Sequence, residues 1–118
     1  MRAVDDGVGQ ILQTLSDCGL DDDTLVFFLS DNGGPIHKNA SNNSPLRGKK
    51  SDLYEGGIRV PSIIEWPEGL NKFRTTNYPA GAVDIFPTIA EIAGLPNSSM
   101  RQPQDGESLV GLMQKEIG

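Results

Sequence analysis

Residues Thr24 to Leu29 read Thr-Leu-Val-Phe-Phe-Leu, an apolar run with no alternation in it. A strand with one solvated face alternates apolar and polar residues. One that does not is predicted to be buried on both faces, as a central strand in a helix-covered sheet. Such a strand needs partners on both edges and cover above and below. Upstream, residues 3–18 are predicted to be an amphipathic helix, because Val4, Val8, Ile11, Leu12 and Leu15 recur at three- and four-residue steps. Asp5 and Asp6 suit its positive N-terminal end, Gly7 and Gly9 weaken it, and Gly19 is placed to cap it, with Leu20 packing back. Asp21 to Asp23 form a polar turn into the strand, so helix, turn and buried strand make half of an α/β crossover unit.

Downstream, Val60 to Trp66 reads as a second short strand with Pro61 tolerated at its start. Residues 71–81 are expected to be loop. Asp84 can N-cap a helix to about Ala93 with Ile85, Phe86, Ile89 and Ile92 as its apolar side, Pro87 in its first turn, and Gly94 and Pro96 as its stop. Ser108 to Met113 suggests one more helical turn. Two strands and two good helices do not make a stable sheet from a parallel pair. The inventory therefore predicts residues 1–118 to be part of a larger α/β fold.

Composition agrees with a thin core. Only 36% of the 118 residues are hydrophobic, and Gly and Pro together number 22. The net charge of −6 argues against nucleic acid and anionic membrane as partners. No apolar run approaches the ~20 residues of a membrane span. No signal peptide pattern is visible at the start, which leaves the compartment open. The single cysteine, Cys18, precludes an internal disulfide and is expected to be a buried, inert thiol.

The chemistry concentrates in Ser30 to Pro61, a long polar connection of the kind that is functional or disordered. Asp31 and Asn32 follow the first strand directly, and open α/β sheets bind ligands at the carboxyl ends of their strands. A carboxylate beside an amide carbonyl suits a hard cation such as Ca²⁺ or Mg²⁺, although Ca²⁺ takes about six to eight oxygens. The same Asp-Asn-Gly-Gly run also makes a good turn. His37, Lys38, Arg47, Lys49, Lys50 and Arg59 give this acidic chain one local basic cluster, which suits an anionic ligand or simply a solvated loop. Gly48-Lys49-Lys50-Ser51 is not a phosphate-binding loop, because Asn43 stands where its first glycine belongs and no helix is expected after Ser51. Glu55 and Arg59 are spaced to pair and pin a turn around Gly56 and Gly57. His37, the lone histidine, reads as a loop bystander. Asn39, Asn42 and Asn97 each begin a short glycosylation pattern that also arises by chance.

Four blocks in order, DDTLVFFLSDNGGP, PLRGKKSDLYEGGIRVPSIIEWP, AVDIFPTIAEIAGLP and DGESL, closely resemble the type I sulfatases, arylsulfatase-like members of the alkaline phosphatase superfamily. The resemblance runs from about Val4 to Leu112. It implies a partial alkaline-phosphatase-like α/β sandwich, a mixed sheet covered by helices and incomplete in this chain. It implies that Asp31 and Asn32 ligate an active-site Ca²⁺. It implies that Lys50, five residues before Glu55, contacts the substrate sulfate, with Lys49 as the weaker alternative. Glu55, Gly56, Gly57 and Arg59 match a mainly structural turn.

The departures from the family pattern are as informative. The C/S-x-P-x-R motif that supplies the formylglycine nucleophile is absent, and Cys18, followed by Gly-Leu-Asp, does not match it. The family's N-terminal aspartate pair, its catalytic histidines and its second lysine are absent too; Asp5-Asp6 only mimics the pair. The resemblance thus implies the later part of a sulfatase catalytic domain, inactive alone. A related phosphoesterase or phosphonate hydrolase is the enzyme alternative, although Asn32, where zinc enzymes place an imidazole, favours the calcium type. A non-catalytic module that self-associates through an incomplete sheet is the other alternative. Parent families are often periplasmic, secreted or lysosomal.

Overall fold

The computed structural model describes residues 2–35, 42–70 and 72–114. The chain divides into two compact units, Met1–Pro67 and Glu68–Gly118.

The first unit opens with helix α1 (Arg2–Asp17). Its half-buried stripe is Val8, Leu12 and Leu15, whereas Val4 and Ile11 of the expected apolar face are largely exposed. α1 ends as Gly19 predicts. Gly19 adopts a left-handed φ of 65°, and its N–H donates to Ser16 O while the Leu20 N–H donates to Leu15 O. These two bonds are a Schellman cap, and glycine adopts the required φ without a Cβ penalty. Leu20 itself is 52% exposed. Cys18 is exposed, contrary to expectation, because it follows the helix outside the half-buried stripe.

Strand β1 (Val26–Leu29) pairs antiparallel with β2 (Ser62–Glu65), Val26 opposite Glu65 and Leu29 opposite Ser62. The doubly buried central strand with a parallel partner is thus corrected. Val26 and Phe27 are half-buried, while Phe28, Leu29 and Ile63 are 46%, 37% and 60% exposed. The reason is geometric. A two-stranded ribbon has two open edges, and its apolar side chains are covered only where other segments lie against them. A recess on this ribbon, about 140 Å³, is lined by Leu12, Leu15 and Ser16 of α1 with Asp21, Thr24, Val26 and Glu65. Among its described residues, the connection Ser30 to Pro61 carries one four-residue helical turn, α2 (Glu55–Ile58).

In the second unit a 3₁₀ turn (Ala82–Asp84) leads into α3 (Ile85–Ile92), a second 3₁₀ turn spans Asn97–Ser99, and α4 (Val110–Gln114) closes the described chain. Gly94, at φ 70°, ends α3 with the same two-bond cap as α1. The buried residues of α3 are Pro87, Thr88 and Ala90; of the expected apolar side, Ile85 and Ile92 are half-buried while Phe86 and Ile89 stay exposed. Hydrogen bonding decides this. Thr88, fully buried, donates its hydroxyl to Asp84 O at 2.6 Å and accepts the Leu109 N–H at 2.9 Å. That seats the segment whose Leu109, Val110 and Met113 are buried with Ala90. Asp84 stands at the N-cap of α3 but makes no side-chain bond to the helix. Its carboxylate accepts from Gly81 N at 2.7 Å and from Glu107 N at 2.8 Å, joining the DGESL block to the helix start.

Together the elements are a mixed set of helices and a small antiparallel sheet, a partial α/β arrangement. Among the described residues no helix is long and apolar enough to cross a membrane.

Candidate functional site at the end of the first strand

β1 ends at Leu29, and the chain turns at Ser30, whose hydroxyl donates to Asn32 O at 2.9 Å. Asp31 is exposed and Asn32 half-buried, so a carboxylate and an amide stand at the carboxyl end of the strand as the sequence predicts. The next residue is locked. Gly33 N–H donates to Gly57 O at 2.8 Å. A Cβ on Gly33 would sit 1.8 Å from Gly56 O, far inside any real contact.

The same closeness repeats along the returning loop. A Cβ on Gly56 would lie 2.3 Å from Gly48 O, and one on Gly57 would lie 2.1 Å from Asp52 O. Gly56 N–H donates to Arg47 O at 2.7 Å. Three backbone segments, 33–34, 47–52 and 56–57, therefore touch with no side chain between them. Only glycine permits this approach. The sequence reading assigned these glycines to sharp turning and missed their mutual packing. No periodic pattern signals it: Gly33 meets Gly56 and Gly57 more than twenty positions away, while Gly56 and Gly57 meet Gly48 and Asp52, eight and five positions away, only through the irregular path of the loop.

Lys50 is carried to the strand end by this packing. Its N–H donates to Gly34 O at 3.2 Å, two residues after Asn32. Lys50 is exposed, and Lys49 is half-buried beside Asp52, whose Oδ2 accepts the Lys49 N–H at 3.1 Å. Ser51, next to Lys50, has a φ of 76°, a left-handed conformation that costs a non-glycine residue about 1–2 kcal/mol. Glu55 and Arg59 pair as expected, Nη1 to Oε2 at 3.0 Å, on an exposed turn where the pair's contribution is at most about 1 kcal/mol. Arg47 stacks on Tyr54, 3.8 Å from the ring centroid, and Nη2 donates to the Tyr54 hydroxyl at 2.8 Å. Asn43 donates from Nδ2 to both Gly34 O, at 2.9 Å, and Gly48 O, at 3.1 Å. Neither Asn43 nor the Arg47–Tyr54 pair was foreseen as part of this arrangement. His37, Lys38 and the Asn39 glycosylation pattern lie outside the described residues.

The donor set at the strand end fits a hard cation in kind. It falls short in number: among the described residues no three His, Cys, Asp or Glu side chains converge on a common point.

The sulfatase family model matches residues 1–95. Mouse steryl-sulfatase is 36% identical over 122 residues, covering 96% of this chain and 19% of its own length. A sulfatase of Formosa agariphila is 39% identical over 128 residues, covering 98% of this chain and 22% of its own. The crystal structure of Ps i-CgsB superposes with a TM-score of 0.83 at 37% identity, covering 94% of this chain and 24% of that one. A second structure of that protein, in complex with k-i-k-neocarrahexaose, gives 0.82. The chain spans about a fifth of the length of the curated relatives it matches. With the Asp-Asn strand end, the lysine on the return and the glycine-packed turn all in one matched region, the chain belongs to the sulfatase family.

Proposed function

We propose that this chain forms one wall of a sulfuric ester hydrolase active site. Asp31 and Asn32 supply two oxygen ligands to a Ca²⁺, and Lys50 contacts the sulfate of an ester on a glycan or aryl group, with Lys49 as its weaker alternative. Glu55, Gly56, Gly57 and Arg59 hold the turn that presents the lysine. The observation that carries this reading is the Lys50 N–H on Gly34 O, which ties the cationic residue to the strand end bearing the carboxylate. A bound divalent cation supplies charge that offsets the developing negative charge on a transferring sulfate. Lys50 supplies a mobile point charge to the same anion.

Two ligands from this chain hold such an ion weakly, and the remaining oxygens come from other segments of a complete sulfatase. The sequence contains no C/S-x-P-x-R nucleophile motif. The 118-residue chain by itself is therefore expected to leave an aryl sulfate intact while binding inorganic sulfate weakly at Lys50. Amide shifts of the labelled chain during a sulfate titration test this. Shifts centred on Lys50 that vanish in Lys50→Ala support the reading. Shifts elsewhere only, or turnover of the aryl sulfate, refute it.

A second reading, self-association, is favoured by the exposed Phe28, Leu29 and Ile63 on a two-stranded ribbon with open edges. Light scattering separates the two: an oligomer that binds no sulfate favours the module.

A further inference from the structure

Asn43 joins the strand end to the lysine loop through two side-chain hydrogen bonds. Its Nδ2 donates to Gly34 O at 2.9 Å and to Gly48 O at 3.1 Å. Both partners are carbonyl oxygens, so the amide orientation is fixed; an oxygen in that place would face two acceptors. Gly34 lies two residues after Asn32, and Gly48 two before Lys50. Gly34 O also accepts the Lys50 N–H. One carbonyl thus receives both the lysine's own backbone and the side chain that braces the lysine's loop. Meanwhile Ser51 holds a left-handed φ of 76° beside Lys50, a conformation that persists only where its surroundings impose it. Asn43 is half-buried and both of its amide hydrogens are used, which leaves this bridge as its evident task.

We infer that Asn43 is a positioning residue: its amide fixes the separation between the Asp31–Asn32 strand end and Lys50, so that cation and lysine meet the same anion. This rests on the reading above and adds to it the part that sets the geometry. Charge-stabilising groups are effective only when they are held in place before the reaction, and a displacement of about 1 Å can cost on the order of 10²-fold in rate. The Gly33–Gly57 bond does not pass through Asn43, so the glycine packing holds the turn while Asn43 sets the spacing.

The test uses the ¹⁵N-labelled chain with Mn²⁺ alone as the probe, since carboxylate and carbonyl oxygens take Mn²⁺ as they take Ca²⁺ and Mg²⁺. Paramagnetic broadening reads distance even at low occupancy, and an Asp31→Asn chain supplies the blank for ions held elsewhere. In the wild type, broadening is expected at the Asp31, Asn32 and Lys50 amides. In Asn43→Ala, and equally in Asn43→Leu, which keeps the branched shape and adds no metal-binding oxygen, broadening at Asp31 and Asn32 should persist. Lys50 broadening should fall by about twofold or more, on the scale of an ångström-sized displacement. A Lys50-to-Asn32 ratio unchanged in Asn43→Leu overturns the inference and leaves the site reading intact. Loss of the folded Gly33 and Gly57 signals in both variants overturns it differently, by making Asn43 a fold residue. Wild-type broadening no stronger than the Asp31→Asn blank refutes the site reading and this inference together.

Discussion

Gly33→Ala probes whether backbone contact between the strand end and the turn holds the site. The new Cβ would stand 1.8 Å from Gly56 O, 2.8 Å from Gly56 C and 3.0 Å from the Gly57 Cα. All three are backbone atoms, so no side chain can rotate away and the segments must separate. Overpacking of this kind costs about 1–3 kcal/mol. Parting Gly33 N–H from Gly57 O removes a hydrogen bond worth a further ~0.5–1.5 kcal/mol. Alanine restricts the unfolded chain and returns about 0.4–1 kcal/mol. The net local destabilisation is about 1–4 kcal/mol. Native-state hydrogen exchange reads this directly, because the Gly33, Gly56 and Gly57 amides report opening of this packing. At about 1.4 kcal/mol per tenfold, their exchange should accelerate between about fivefold and about a thousandfold. Gly7→Ala is the control: a Cβ there meets nothing within 4 Å, and the helix should gain about 1 kcal/mol. Unchanged exchange at the three amides in Gly33→Ala would refute the packing argument.

Ser51→Gly should stabilise the lysine loop by up to about 1.5 kcal/mol, read as slower exchange of the Asp52 and Gly57 amides, because glycine removes a left-handed penalty of about 1–2 kcal/mol and gives back about 0.4–1 kcal/mol in the unfolded chain. Asp84→Ala should release both Gly81 N–H and Glu107 N–H, costing about 1–3 kcal/mol in the second unit and exposing the Leu109 amide to exchange. Phe28→Asp should shift any oligomer toward monomer in light scattering, since Phe28 lies on the open ribbon; Phe73→Asp, at a residue 98% exposed, should not.

The apolar period and the caps placed α1 and α3 to within one residue, since burial of one helical stripe is written in the spacing of Val8, Leu12 and Leu15. Gly19 and Gly94 announced both helix ends, because a left-handed cap is a local demand that glycine meets alone. The place of Asp31 and Asn32 directly after a strand, and of Lys50 before the turn at Glu55, was legible in the sequence.

Their arrangement was not. The unbroken Thr24–Leu29 run fixes a preference for burial, but strand direction and cover depend on segments distant in sequence, and there β1 proved antiparallel and half open. Thr88 rather than Phe86 lies at the buried side of α3, because a hydrogen bond to Leu109 N, far along the chain, outranks local apolar spacing. The packing of Gly33 on Gly56 and Gly57 joins residues more than twenty positions apart, and the Asn43 bridge and the left-handed Ser51 follow the irregular path of the loop, which no periodicity encodes. Local spacing encodes which elements form and which residues carry charge. Only closure of the long Ser30–Pro61 connection decides which of those residues lie side by side.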